Sequence, residues 1–160
     1  MIDADGLRFL NGYERWATGR ILDAMAGIDA ATWQRPNVVG ERGIGGILVH
    51  HLGAHQRWRH YLSGSEEQPR PEDEPLIGLV ELGERWAAEW AAMDAWLGSL
   101  SPATLEVRHE GTAMWQALLH LYNHGTQHRS EVAAVLTDVG RSPGDLDLVD
   151  FAELEARREG

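Results

Sequence analysis

The chain has 160 residues, 14 Lys+Arg against 25 Asp+Glu for a net charge of -11, and no cysteine. The length suits one domain over residues 1–160 with one sizeable core. The acidic field, with no local basic stripe, argues against nucleic acid, and the missing thiols exclude disulfides, zinc–cysteine sites and a cysteine nucleophile. No run approaches the roughly 18 apolar residues a membrane span needs. The acidic, amphipathic start "MIDADGLRFLNGYERW" lacks the basic and apolar regions of a secretory signal, so a cytoplasmic protein without membrane contact is expected.

Leu7, Leu10, Tyr13, Ala17, Ile21 and Met25 recur at helical spacing and predict a first helix over about 4–27. "QRPNVVGERGIGG" is glycine-rich and reads as a loop. A second helix is expected from about Ile44 to Ser63, followed by "GSEEQPRPEDEP", whose prolines and acidic residues read as an exposed, mobile connection. A third helix covers about Leu76 to Leu100, with Leu79, Leu82, Trp86, Trp90, Met93 and Leu97 on one core-facing stripe. "LEVRHEGTAMW" alternates briefly around a glycine and predicts a short hairpin. A fourth helix runs from about Ala113 to Val139 and stops at Gly140, and "RSPGDLDLVDFAELEARR" gives a turn and a short last helix. The fold class is therefore all-α, a four-helix bundle. The long connections at 35–43 and 64–75 allow a crossover topology, and both are expected to shape substrate specificity.

The segment "HLYNHGTQHRSE" places His120, His124 and His128 every fourth residue. On an α-helix, residues i and i+4 differ by about 40° and rise about 6 Å, so His124 and His128 project side by side, a separation that suits two ligands on one metal. The second helix supplies further candidates in "ILVHHLGAHQRWRHYLSG": His50, His51, His55 and His60. The stripe Ile44, Leu48 and Leu52 favours His51 or His55 as the inward residue, while Ile47, Ala54, Trp58 and Tyr61 make the flank of His50 apolar too. Glu131 lies about 20° around the axis from His124 and one turn past His128. It is placed to orient a ligand imidazole, accept a proton or act as a fourth ligand, and equally to sit at the surface or pair with Arg129. Arg129 reads as structural, His120 as core or as support behind the ligands, and His109 as solvent-exposed. The face Trp115, Leu119, Tyr122 and Ala133, opposite the histidines, is suited to the C-terminal segment or a dimer seam.

The pieces "LVHHLGAHQRWRHYLSG", "LLHLYNHGTQHRSEVAAVLTDVG" and "SPGDLDLVDF", with weaker support from "YERWATGRILDAM", resemble the DinB/YfiT-like family of metal-dependent four-helix bundles, which is grouped with thiol-dependent S-transferases. The resemblance implies a divalent metal on His124, His128 and a second-helix histidine. By its spacing to Trp58 and Gly64, that histidine is His50. The chain departs from the family in having His51 and His55 where an apolar residue and a carboxylate are usual, and in reading Ser130-Glu131 after His128-Arg129.

Three imidazoles leave open positions on a divalent ion, the mark of a catalytic site. Zinc or nickel suits the set, with iron and manganese as further candidates. Two chemistries follow, hydrolysis by an activated water or transfer of an activated thiol. The resemblance favours a small-molecule thiol cosubstrate and a homodimer, and the helix geometry makes Glu131 the candidate catalytic residue. The alternatives are a hydrolase, or a metal- or ligand-binding stress protein without turnover.

Overall fold

Asp3 opens the first helix by accepting a hydrogen bond from the Gly6 backbone at 2.9 Å, the side-chain cap that satisfies an otherwise orphaned N–H. The computed structural model describes residues 2–36, 42–66 and 68–160. The elements in order are α1 (Ala4–Ala24), α2 (Ala30–Gln34), α3 (Ile44–Ser63), a 3-10 turn (Pro71–Asp73), α4 (Leu79–Gly98), α5 (Pro102–Leu105), β1 (Arg108–His109), β2 (Thr112–Ala113), α6 (Met114–Asp138) and α7 (Leu148–Glu159). The all-α class is as expected. The two short helices are additions: Asp29 caps α2 through Thr32 N, and Ser101 caps α5 through Thr104 N with Pro102 in its first turn, both readable N-terminal signals. The predicted hairpin pairs Arg108 with Ala113 and His109 with Thr112. Its turn residues Glu110 and Gly111 both have positive φ, as a tight two-residue turn requires.

Among the described residues α3 packs on α6 and α4, and α1 packs on α6 and α4. Consecutive long helices α1 and α3 are thus diagonal partners. The core divides into two clusters. One holds Ile21, Ile44, Leu48, Leu82, Trp86 and Leu136; the other holds Leu7, Leu62, Met93, Leu97, Leu118 and Leu121. Following each helix between the clusters gives its direction: α1 and α6 run one way, α3 and α4 the other. The order is up-down-down-up. Because α3 and α4 run parallel, the chain between Ser63 and Leu79 must travel back along the bundle.

That return leaves most of 64–75 exposed, as expected, but pins the connection against α3 at one place. Pro71 and Ile77 are buried, the 3-10 turn packs on α3, and Trp33 Nε1 donates to the Ile77 carbonyl at 3.1 Å. The connection crosses α3 at Gly53, where a Cβ would stand 2.1 Å from Glu72 Oε2. Glycine at that position lets Glu72 lie against the helix. Residues 37–41 of the predicted 35–43 loop, and residue 67 of the 64–75 connection, lie outside the described residues. Helix α7 docks on α1, with Phe151 against Tyr13 and Trp16, and not on the second apolar face of α6. No helix among the described residues is long and apolar enough to cross a membrane.

Candidate metal centre

Between the two apolar clusters, every long helix carries a buried polar residue: Glu14 on α1, His51 and His55 on α3, Glu89 on α4, His128 and Arg129 on α6. Polar groups withdrawn from water must find partners, and the partnerships in this layer define two imidazole clusters.

The first lies on the α3–α6 seam. His50, His124 and His128 each offer a ring nitrogen, and the three atoms lie within 4.8 Å of one another. The imidazoles stand edge to face, with centroids 4.4 Å apart for His124–His128 and 5.1 Å for His50–His128. His128 Nδ1 is 2.7 Å from Glu131 Oε2, and His50 Nδ1 is 3.0 Å from Glu72 Oε1. A carboxylate behind Nδ1 fixes the proton there and leaves Nε2 with a lone pair facing the cluster. His128 Nε2 faces His124 Nε2 at 3.1 Å, and His124 Nδ1 is buried without a partner among the described residues. Converging lone pairs on three rings, two of them held by carboxylates, fit a divalent cation. Burial, reinforced by His128 and His50, pushes the His124 pKa down to about 4, and burial also lowers that of His50 against the pull of Glu72. Both rings are therefore neutral near neutrality, the form that donates to a metal.

The second cluster lies deeper, where Glu14, His51 and His55 also bring three ligand atoms within 4.8 Å. All three side chains are fully buried. Glu14 Oε1 is 2.8 Å from His51 Nε2, 3.8 Å from His55 Nε2 and accepts from Thr18 Oγ1 at 3.2 Å. Its other oxygen accepts from Arg129 Nη1. Burial alone would raise the Glu14 pKa, but Arg129 and His51 hold it far below the usual carboxylate range. Trp86 closes one side, 4.8 Å from the His51 ring and 5.2 Å from that of His55. Gly125 makes room for this packing: a Cβ there would meet Glu14 Oε2 and His51 Nε2 at 2.7 Å and Arg129 Nη1 at 2.9 Å.

The outcome for the second-helix histidines is that two signals in the sequence concern two different clusters. Periodicity placed His51 and His55 inward, and both have no exposure; the family register picked His50, which stands with His124 and His128 on the α6 flank. Arg129 is structural, as expected. Glu131 bonds His128, and its Oε1 accepts from Gln127 Nε2 at 3.2 Å. His120 is exposed rather than core, its ring 5.6 Å from Trp58 and 6.0 Å from His124. His109 is partly buried against Tyr61, centroids 5.5 Å apart, not solvent-exposed. The sequence reading missed Glu14 and Glu72. Glu14 had a signal, because Leu7, Glu14 and Ile21 are seven residues apart and so share one buried stripe.

These burial effects fix a pH dependence. Burial pushes the His55 pKa down to about 4 from 6.5, so the unfolded chain binds its proton first as pH falls. Stability is then lost progressively below pH 6.5 towards 4, by up to about 3 kcal/mol from this ring alone. Glu14 has the same sign in a lower window: its folded pKa is also depressed, so its contribution is lost only when pH falls below the unfolded carboxyl value of 4.5. Urea unfolding at pH 7 and pH 5 should show the decline, and His55→Gln should make it shallower, with the other depressed imidazoles keeping the remainder. A wild-type curve unchanged over that interval would contradict the buried neutral imidazole.

Together these features define an all-α bundle with candidate metal-binding clusters in a polar central layer. A family model described as the DinB family matches residues 5–159, and the chain belongs to that family. No curated protein and no solved structure matches the chain.

Proposed function

We propose that His50, His124 and His128 hold one divalent ion, zinc or nickel in the first instance, and that the chain is an S-transferase using a low-molecular-weight thiol. The observation that carries the reading is the pair of carboxylates, Glu72 and Glu131, standing behind two of three convergent imidazoles. The deeper cluster is the poorer cation site. Its one carboxylate is already paired with Arg129, and a divalent ion there would repel that buried guanidinium by about 4 kcal/mol per unit charge at 4 Å and an effective dielectric of 20.

An ion on the three histidines supplies Lewis acidity, which draws the pKa of a thiol towards neutrality. The chain's own residues do the rest. His50 and His124 are half-buried and His128 is buried, so the site keeps a face open to small molecules. Glu72 and Glu131 hold their imidazoles in one tautomer. Both Glu131 oxygens are engaged, which suits an orienting role. With no cysteine in the chain, the sulfur must arrive as cosubstrate.

The test is to load the protein with zinc or nickel and measure consumption of a panel of small thiols with monochlorobimane as electrophile. Metal-dependent, thiol-dependent turnover is expected. Glu131→Gln should weaken metal affinity by about 10–100-fold while keeping turnover at saturating metal within severalfold. Ester hydrolysis without thiol would favour the hydrolase reading, and tight binding without any turnover would favour a binding module.

A further inference from the structure

Below the three-histidine cluster, the α3–α6 seam opens into a cavity of about 560 Å³ lined by Arg57, Trp58, Tyr61, Ser65, His109 and Glu110 among others. A volume of this size accommodates a ring system rather than a small ion or water cluster. Its walls are aromatic. Trp58 and Tyr61 stand edge to face with centroids 6.0 Å apart, and the His109 ring lies 5.5 Å from Tyr61. Tyr61 remains 45% exposed, so a flat face is available for stacking.

The cavity has a cationic end and an anionic end. Arg57 Nη1 is 3.9 Å from Glu72 Oε1, the carboxylate that bonds His50, and Arg57 also disfavours protonation of His124. Arg57 therefore stands at the edge shared by cavity and imidazole cluster. At 3.9 Å its contact with Glu72 is too long for a hydrogen bond, so its planar donors are available to a carboxylate in bidentate geometry. Arg59, also on α3, is committed: it donates to both oxygens of Glu89 at 2.8 and 2.7 Å. The two cavity histidines differ. His60 Nδ1 is 2.8 Å from Ser65 Oγ, while His109 Nε2 is buried without a hydrogen-bond partner among the described residues. Across the cavity Glu110, in the hairpin turn, is exposed and repels a second negative group.

We propose that this cavity binds flat, aromatic or conjugated monocarboxylates, with the carboxylate on Arg57 and the ring against the wall formed by Trp58, Tyr61 and His109. The carboxylate end then faces the imidazole cluster, so such acids are the class of organic substrate presented to it; this last step rests on the function proposed above. Glu110 favours a neutral or hydrogen-bond-donating far end and so disfavours dicarboxylates.

Isothermal titration with 2-naphthoate, 2-naphthylmethanol and naphthalene-2,6-dicarboxylate tests the assignment on metal-loaded and metal-depleted protein, with metal content measured on the same samples. Naphthoate is expected to bind at least about tenfold tighter than the alcohol and severalfold tighter than the diacid. Arg57→Gln should erase the preference over the alcohol, Glu110→Gln should erase the preference over the diacid, and Tyr61→Ala, at an exposed position, should weaken naphthoate and alcohol alike. Equal binding of all three, no binding, or a naphthoate preference that survives Arg57→Gln overturns the proposal. An Arg57-dependent preference in protein that takes up no metal would support the cavity assignment and count against the metal centre alone.

Discussion

Replacing Glu14 with alanine is expected to destabilise the fold by about 3–5 kcal/mol. Removing one partner of a buried ion pair leaves the other charge without compensation in a low-dielectric interior. Here the abandoned group is Arg129, 1% exposed, left among the described residues with a hydrogen bond to Thr126 Oγ1 at 3.0 Å and the Tyr13 ring 5.1 Å away, neither of them a counter-charge. His51 would lose its partner too. Glu14 joins the residue that follows His50 on α3 to the residue that follows His128 on α6, so the same change also loosens the two helices that carry the imidazole cluster. Glu14→Gln keeps the shape and restores part of the hydrogen bonding. It should cost less than alanine, with Arg129 still short of a counter-charge. Chemical denaturation of both variants, with metal content measured alongside, checks this. A Glu14→Ala protein within about 1 kcal/mol of wild type would show that Arg129 finds another partner.

The second large effect concerns metal retention. His124→Ala combined with His128→Ala should abolish stoichiometric binding of zinc or nickel, and His50→Ala should do the same alone, because three ligands is the minimum for a held catalytic ion. His51→Ala separates the two clusters. It should lower stability by disturbing Glu14 while leaving the ion in place. His60→Ala and His109→Ala should leave metal content unchanged. Elemental analysis of the dialysed variants reads all of these, and full retention in the double variant would refute the three-histidine assignment.

Features carried by local periodicity were legible in the sequence. The spacing of His124 and His128 is a property of one helix, and the stripes on α1, α3, α4 and α6 announced four core-facing helices. Their ends were less legible: α4 runs Leu79–Gly98 within the expected 76–100, since capping without a strong side-chain signal leaves helix ends loosely marked. What could not be read were meetings across the bundle. Glu72 lies 22 residues from His50, in a segment whose prolines and charges resemble any solvated linker. It reaches the helix only because parallel α3 and α4 force that segment to run back past Gly53. Glu14 and Arg129 are 115 residues apart, and nothing local to either names the other. The indirect traces were the glycines at 53 and 125 inside helices, where glycine costs about 1 kcal/mol relative to alanine and so often marks a close approach.

The central claim is that one divalent ion sits on His50, His124 and His128. Anomalous diffraction from crystals of the zinc-loaded protein, collected on both sides of the zinc edge, tests it most directly. A single peak per chain is expected, with the nitrogens of those three imidazoles at about 2.0–2.1 Å and the Glu14, His51 and His55 cluster free of signal. A peak at the deeper cluster with none on His50, His124 and His128 would contradict it.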